Sequence, residues 1–281
     1  MTPPFDTLDW RKMSQEARDL GLNNSVAVKG SADIMTDWER RSGEMRGRHA
    51  GRLDLRYGPR ERNRIDFLKA RDRAPTLLFI HGGYWQMRSK EFFTHFAAGP
   101  MAQGINVALI GYTLAPDAKL DEIVAEIHAG IDFLAKELPA LGGDGEGIVV
   151  SGWSAGGHLT AMALSHRHVR AGMAISGIYD LEPIRHSYLN VKLGLDEAAS
   201  RRNSPMRLAG IDKPLSLVVG GAELPLLRKE TSDFAAHRAR QALPVTYEEI
   251  AGADHFSIMN ELASPTGRIT TLIRQLFERT E

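Results

Sequence analysis

A serine stands between two glycines in GIVVSGWSAGGH, residues 147–158. Residues suited to a buried strand run directly into Gly152-Trp153-Ser154-Ala155-Gly156, and a helical stretch follows. A strand that ends in G-x-S-x-G and opens a helix is a nucleophile elbow: the serine occupies a sharp, strained turn and lifts its hydroxyl above the sheet edge. The flanking glycines let the helix and the neighbouring strands pass close to that turn. A plain strand-to-helix turn with serine as helix cap accounts for the same residues, so the rest of the chain has to decide.

Upstream, the strand TLLFI (76–80) ends in His81-Gly82-Gly83-Tyr84-Trp85. In α/β-hydrolases an HGG turn after the third strand carries one half of an oxyanion hole. The backbone N–H groups of Gly83 and Tyr84, with that of Ala155, are then expected to converge on the charge of a tetrahedral intermediate, each donor contributing roughly 3 to 4 kcal/mol. His81 belongs to the turn as a stabilising residue rather than as a base.

The hydroxyl of Ser154 is too weak an acid to attack unaided, so a histidine must take its proton and a carboxylate must hold that histidine in the right tautomer. In this fold the order along the chain is serine, acid, histidine. His255, in GADHFSI, lies in the loop after the last predicted strand and is the candidate base. His158, four residues past Ser154, reads as structural, and His128, His166, His168 and His237 fall on predicted helices. For the acid, the loop GAELPLLRKE after the strand LSLVVG offers Glu223 first. Asp254, beside the base, and Asp180, after AISGIY, are the alternatives. Glutamate is one methylene longer than aspartate, so its loop must sit slightly further back.

The elements that must position these groups are legible as short apolar runs separated by helical segments. TLLFI (76–80), INVALI (105–110), GIVVSG (147–152), AGMAIS (171–176), LSLVVG (215–220) and VTYEEI (245–250) fit parallel strands buried on both faces. In LDEIVAEIHAGIDFLAKEL (120–138), Ile123, Ile127, Ile131 and Leu134 recur at steps of three and four, the spacing of a crossover helix. GRLDLRYG (51–58) and RNRIDFLK (62–69) alternate around a Gly-Pro turn and predict an antiparallel edge hairpin. Residues 1–50 are polar and helix-like, with Trp10 and Trp38 as apolar anchors, and predict an N-terminal extension packed on a single domain over 51–281. Residues 181–210 are too long for a simple connection and predict a lid-like insertion that covers something.

Composition narrows the chemistry. The chain has 281 residues, with 35 basic and 35 acidic side chains and no cysteine. A balanced charge gives no electrostatic reason to expect nucleic acid or an anionic membrane as partner. Without cysteine there is no disulfide, zinc-thiolate or thiol nucleophile. The start MTPPFDTLDWRKMS lacks the pattern of a signal peptide and no later segment reaches the length of a membrane span, so a cytoplasmic protein is expected. The expected partner is a small-molecule substrate, with a homodimer left open.

The assembled residues resemble the kynurenine formamidase (arylformamidase) family of α/β-hydrolases, close to the hormone-sensitive-lipase-like esterases. HGGYWQ (81–86) looks like that family's HGGxW motif. YTLAP (112–116), GWSAGGH, SGIYDLEP (176–183), RNSP (202–205) and DHF (254–256) are further similarities, together running from about residue 50 to 260. The resemblance implies the α/β-hydrolase fold, a mostly parallel central sheet with helices on both faces and a lid-like insertion. It implies hydrolysis of N-formyl-L-kynurenine or a related small-acyl aryl amide by Ser154, Glu223 and His255, with Gly83, Tyr84 and Ala155 as oxyanion donors and no metal or organic cofactor. Glu223 stands where the family usually has aspartate. Tyr84, in place of the third glycine common in the esterases, is expected to narrow the acyl side. Trp85, Trp153, Tyr188 and Phe256 are expected to line an aryl leaving-group site. A short-chain carboxylesterase is the competing enzyme, and a non-catalytic hydrolase-fold binding module is the third reading.

Overall fold

The computed structural model describes residues 8–49 and 52–278. Residues 1–7 and 50 of the expected extension, Gly51 of the expected hairpin, and residues 279–281 lie outside the described residues. One eight-stranded sheet runs in the order β1-β2-β4-β3-β5-β6-β7-β8. Its strands are β1 (Arg52–Arg56), β2 (Arg64–Leu68), β3 (Ala74–Ile80), β4 (Asn106–Ile110), β5 (Gly143–Trp153), β6 (Val169–Ile175), β7 (Leu215–Gly220) and β8 (Val245–Ile250). β1 pairs antiparallel with β2 and β2 with β4, and the remaining pairs are parallel. This is the mostly parallel sheet of an α/β fold, opened by the hairpin its alternating residues predict.

Alternation along the central strands sorts the core into two layers. Leu78 and Ile80 of β3 face one cluster with Ile123, Ile127, Ile131 and Leu134, whereas Leu77 and Phe79 face the other with Trp38, Ile269 and Ile273. Each fully buried leucine or isoleucine contributes about 1.5 to 3 kcal/mol. β8 departs from the expectation of burial on both faces: it is the edge strand, and Tyr247 and Glu249 of its outer face are exposed.

Helices cover both faces in chain order. α1 (Gln15–Gly21), α2 (Asn24–Ala27) and α3 (Ser31–Arg48) precede the sheet, α4 (Ala98–Ala102) leads into β4, and α5 (Leu120–Leu141) is the predicted crossover helix. α6 (Ala155–Ala163) follows the serine, and α7 (Glu182–Arg185), α8 (Asn190–Leu193) and α9 (Glu197–Arg202) form the 181–210 insertion. α10 (Pro225–Arg240), α11 (Asn260–Ala263) and α12 (Arg268–Glu278) complete the chain. None of the described helices is long and apolar enough to cross a membrane.

Two contacts fasten the N-terminal helices. Trp38 of α3 is buried against Phe96, with ring centroids 4.7 Å apart, and against Trp153, at 5.5 Å. Arg46 of α3 pairs with the buried Asp66 of β2, which also accepts from Lys90 Nζ at 2.8 Å. Asp54, Asp66 and Glu91 approach closely enough to suggest a cation site, but the buried Lys90 ammonium bonds all three. A charged group buried this way persists only when paired, and here the pairing ties helix to sheet.

Candidate active site

Ser154 joins β5 to α6 with φ 58° and ψ −119°, a conformation costing a non-glycine residue on the order of 1–3 kcal/mol. The strain is held from both sides: the Ser154 N–H donates to Ile175 O of β6 at 2.8 Å, and its carbonyl accepts from His158 N–H at 3.1 Å. A Cβ on Gly152 would meet Gly156 O and lie 2.9 Å from Ile80 O, and one on Gly156 would strike Ile80 O. Both glycines are therefore required by backbone-to-backbone contact. Gly82 is tight too, since its added Cβ would lie 2.7 Å from both the Trp153 carbonyl oxygen and the Trp153 ring and 3.2 Å from Ser154 Cβ. The HGG turn and the serine turn thus pack against each other.

The neighbouring strand ends supply the other groups. Glu223, three residues past the end of β7, and His255, after β8, are both buried, and Glu223 Oε2 lies 2.6 Å from His255 Nδ1. With a carboxylate at that distance, Nδ1 carries the proton and donates, which leaves Nε2 as the basic nitrogen. Glu223 Oε1 accepts from the Gly220 N–H at 2.7 Å and from Ser176 Oγ at 2.5 Å. Trp153 fixes the other side of the histidine: its indole N–H donates to His255 O at 2.8 Å, and its ring sits 4.7 Å from the imidazole. The alternative acids are engaged elsewhere. Asp254 Oδ1 accepts the N–H groups of Phe256 and Ser257 at 2.9 and 2.8 Å, and Asp180 pairs with Arg207 at 2.8 Å.

The other histidines near the site are built into the frame. His81 is fully buried between Tyr112 and Phe93, and its Nδ1 donates to Gly82 O at 2.8 Å. Burial pushes its pKa down to about 3. His158 accepts at Nδ1 from Trp85 Nε1 at 3.2 Å and donates from Nε2 to Asn203 O at 2.7 Å. Burial lowers its pKa to about 4, so it is a neutral strut linking the HGGYW turn, α6 and the RNSP segment.

That strut corrects the expectation for Trp85. The residue has no exposed surface and its indole is committed to His158, so it packs beneath the site instead of lining a leaving-group wall. Trp153 and Phe256 are almost as buried and pack around His255, with centroids 4.7 and 5.8 Å from it. Tyr188 is the exposed member of the four, with its N–H on Asp19 at 2.9 Å.

Gly83 and Tyr84 both lie at positive φ, and Ala155 is the first residue of α6, where backbone N–H groups lack intrahelical partners. The Tyr84 hydroxyl reaches the N-terminal segment, donating to Leu22 O at 2.8 Å and accepting from Asn24 N–H at 3.1 Å. A cavity of about 460 Å³ opens beside His255 and Glu223, walled by Asn24, Val28, Lys29 and Pro225. A second cavity, of about 330 Å³, lies between Trp10, Ile184, Leu226 and Glu230, and neither Ser154 nor His255 lines it. The residues that sequence reasoning missed are Leu22, Asn24 and Ser176. Ser176 carried a signal, standing first in SGIYDLEP, whereas nothing local marks the other two.

A family model described as BD-FAE matches residues 67–187. The kynurenine formamidase of Danio rerio is 28% identical over 292 aligned positions, covering 95% of this chain and 98% of the relative. The protein is a hydrolase of the α/β-hydrolase fold, similar to the kynurenine formamidases. A solved structure from Silicibacter sp. tm1040, assigned as a thioesterase, superposes on this hydrolase with a TM-score of 0.83 at 27% identity, covering 91% of this chain and 98% of that one. An arylesterase structure, at 19% identity and a TM-score of 0.65 over 80% of this chain and 84% of its own, shares the fold. The relatives support a serine-hydrolase type of activity.

Proposed function

We propose that this hydrolase cleaves a small-acyl aryl amide of the N-formyl-L-kynurenine kind through an acyl-enzyme, with Ser154 as nucleophile, His255 as general base and Glu223 as the orienting acid. The observation that carries the reading is the buried Glu223–His255 pair at 2.6 Å, on the same sheet edge as the left-handed turn of Ser154. His255 Nε2 takes the proton of Ser154 Oγ as the oxygen attacks the acyl carbon. The oxyanion that forms is bound by the N–H groups of Gly83, Tyr84 and Ala155. Collapse breaks the C–N bond, and the imidazolium returns its proton to the departing arylamine. Water, deprotonated by the same nitrogen, then releases the acid and regenerates the serine. Glu223 stays ionised throughout and stabilises the imidazolium.

The small acyl group is supported by Tyr84, whose side chain stands beside the oxyanion turn and is held to Leu22 and Asn24. The deciding experiment is side-by-side turnover of N-formylkynurenine and p-nitrophenyl acetate by purified protein. A strong preference in kcat/KM for the formamide is expected, and preference for the acetate ester overturns the substrate assignment. The second reading, a short-chain carboxylesterase, is favoured by the thioesterase-assigned neighbour and by the loss of Trp85 from the expected aryl wall.

A further inference from the structure

Five neighbouring strand ends contribute to the site, β3 through the HGG turn, and one of them has no part in the mechanism above. Ser154 follows β5, Glu223 follows β7 and His255 follows β8, while Ser176 follows β6, between the nucleophile strand and the acid strand. Ser176 is fully buried. Its N–H donates to Val218 O of β7 at 2.7 Å, continuing the ladder by one residue. The chain then turns sharply, with Ser176 at φ 51°, and the hydroxyl donates to Glu223 Oε1 at 2.5 Å.

We infer that Ser176 is a positioning residue for the acid, holding the longer glutamate side chain against His255. Glutamate has one more rotatable bond than aspartate, so its carboxylate needs more fixing to present one oxygen to an imidazole. Here Oε1 is held by two donors, the Gly220 N–H and the Ser176 hydroxyl, which leaves Oε2 for His255 Nδ1. The backbone around Ser176 is itself clamped. Gly177 lies against Gly157 of α6, and further along the loop the N–H groups of Tyr179 and Asp180 both donate to Glu230 Oε2, at 2.9 and 3.0 Å. Because Glu230 stands on α10, which begins two residues after Glu223, serine loop and acid loop are fixed to one another.

The inference rests on the reading of Glu223 as the acid, and the test separates the two. Ser176→Gly and Ser176→Ala both remove the hydroxyl, but only glycine suits the left-handed backbone. With p-nitrophenyl acetate as probe, both variants are expected to lose on the order of 10- to 100-fold in kcat, the loss of one hydrogen bond to a charged group, with KM nearly unchanged. Ser176→Gly should match or exceed the parent in Tm, and Ser176→Ala should not. The acid limb of kcat/KM should move to higher pH in both, because a carboxylate with one donor fewer pairs more strongly with the imidazolium. The other ionisable groups around the pair, Lys29 and Asp254 at the cavity and the Tyr179 phenol beneath Gly177, are unaltered in these variants. Parental kcat and an unmoved acid limb in Ser176→Gly overturn the inference while leaving Glu223 in place. Activity that follows Tm, preserved in glycine and lost in alanine, also overturns it, by making the role of the serine purely structural. A fully active Glu223→Gln overturns this inference together with the acid assignment.

Discussion

Glu223 meets His255 at 2.6 Å, whereas Asp254, the residue next to His255 in sequence, turns its carboxylate back onto the N–H groups of Phe256 and Ser257. The two acids therefore have separable effects. Glu223→Gln should cost about 10^3- to 10^4-fold in kcat with the fold retained, by the logic of carboxylate-to-amide changes in triads. Asp254→Asn should cost far less, since an amide oxygen still accepts both N–H groups. Glu223→Asp should lie between parent and Glu223→Gln. Steady-state kinetics on the variants reads all three, and a dead Asp254→Asn beside an active Glu223→Gln would falsify the assignment.

The serine turn predicts opposite effects on stability and activity. Its strain resides in the backbone at φ 58°, so Ser154→Gly should raise stability by about 1 kcal/mol or more while abolishing turnover. Ser154→Ala should abolish turnover with a Tm close to the parent. Thermal melts of both variants check this, and a destabilised Ser154→Gly would mean that the turn is not strained in solution.

Gly156→Ala should fail to yield folded protein, because its Cβ would strike the main chain of β3 at Ile80 O, which cannot move without parting β3 from β5. The Cβ of Gly82→Ala would lie 2.7 Å from both the Trp153 carbonyl oxygen and the Trp153 ring. This overlap is milder than that of Gly156 with Ile80 O and is borne by the end of β5 and the serine turn, so the variant should fold with reduced stability and lose most of its activity. Solubility and circular dichroism of the two variants distinguish these outcomes.

Stability should depend on pH through buried groups outside the chemistry. Burial pushes the pKa of His81 and His95 down to about 3 and that of His158 to about 4. Each depressed value contributes stability that is present above the ordinary imidazole pKa of about 6.5 and is lost as pH falls through the folded value. Glu230 works in the opposite sense: burial outweighs the two backbone N–H groups that favour its ionised form and raises its pKa to about 7. Its contribution is present below the ordinary glutamate value and is lost as pH rises through about 7. Glu230→Gln keeps an acceptor for Tyr179 and Asp180, so it should be more stable than the parent near pH 8 and equal to it near pH 4. Urea midpoints across that range test both signs, and identical profiles for parent and variant would contradict the Glu230 account.

Much of this arrangement was legible because its signals are local. A glycine-boxed serine after a strand, an HGG turn, and single carboxylates and histidines after later strands are each short patterns, and parallel-strand order brings them to one edge. Ser176 stood in plain view after AGMAI, but its role depends on a left-handed turn and on the length of a side chain 47 residues away. Leu22 and Asn24 were invisible for a different reason: they act on Tyr84 across about 60 residues, largely through main-chain atoms that leave no pattern in side-chain chemistry. Trp85 misled because an aromatic beside an oxyanion turn suggests a substrate wall, and only the partner of its indole, His158, shows which way it faces.

The central claim is that Ser154 is an activated nucleophile, and covalent labelling with a fluorophosphonate probe tests it most directly. Intact-mass analysis of the labelled protein should show a single adduct, mapped by peptide sequencing to Ser154, with no adduct on Ser154→Ala and greatly slowed labelling of Glu223→Gln. Only a serine whose proton is taken by a neighbouring base reacts at an appreciable rate. An unlabelled parent protein, or equal labelling of Ser154→Ala, would contradict the account.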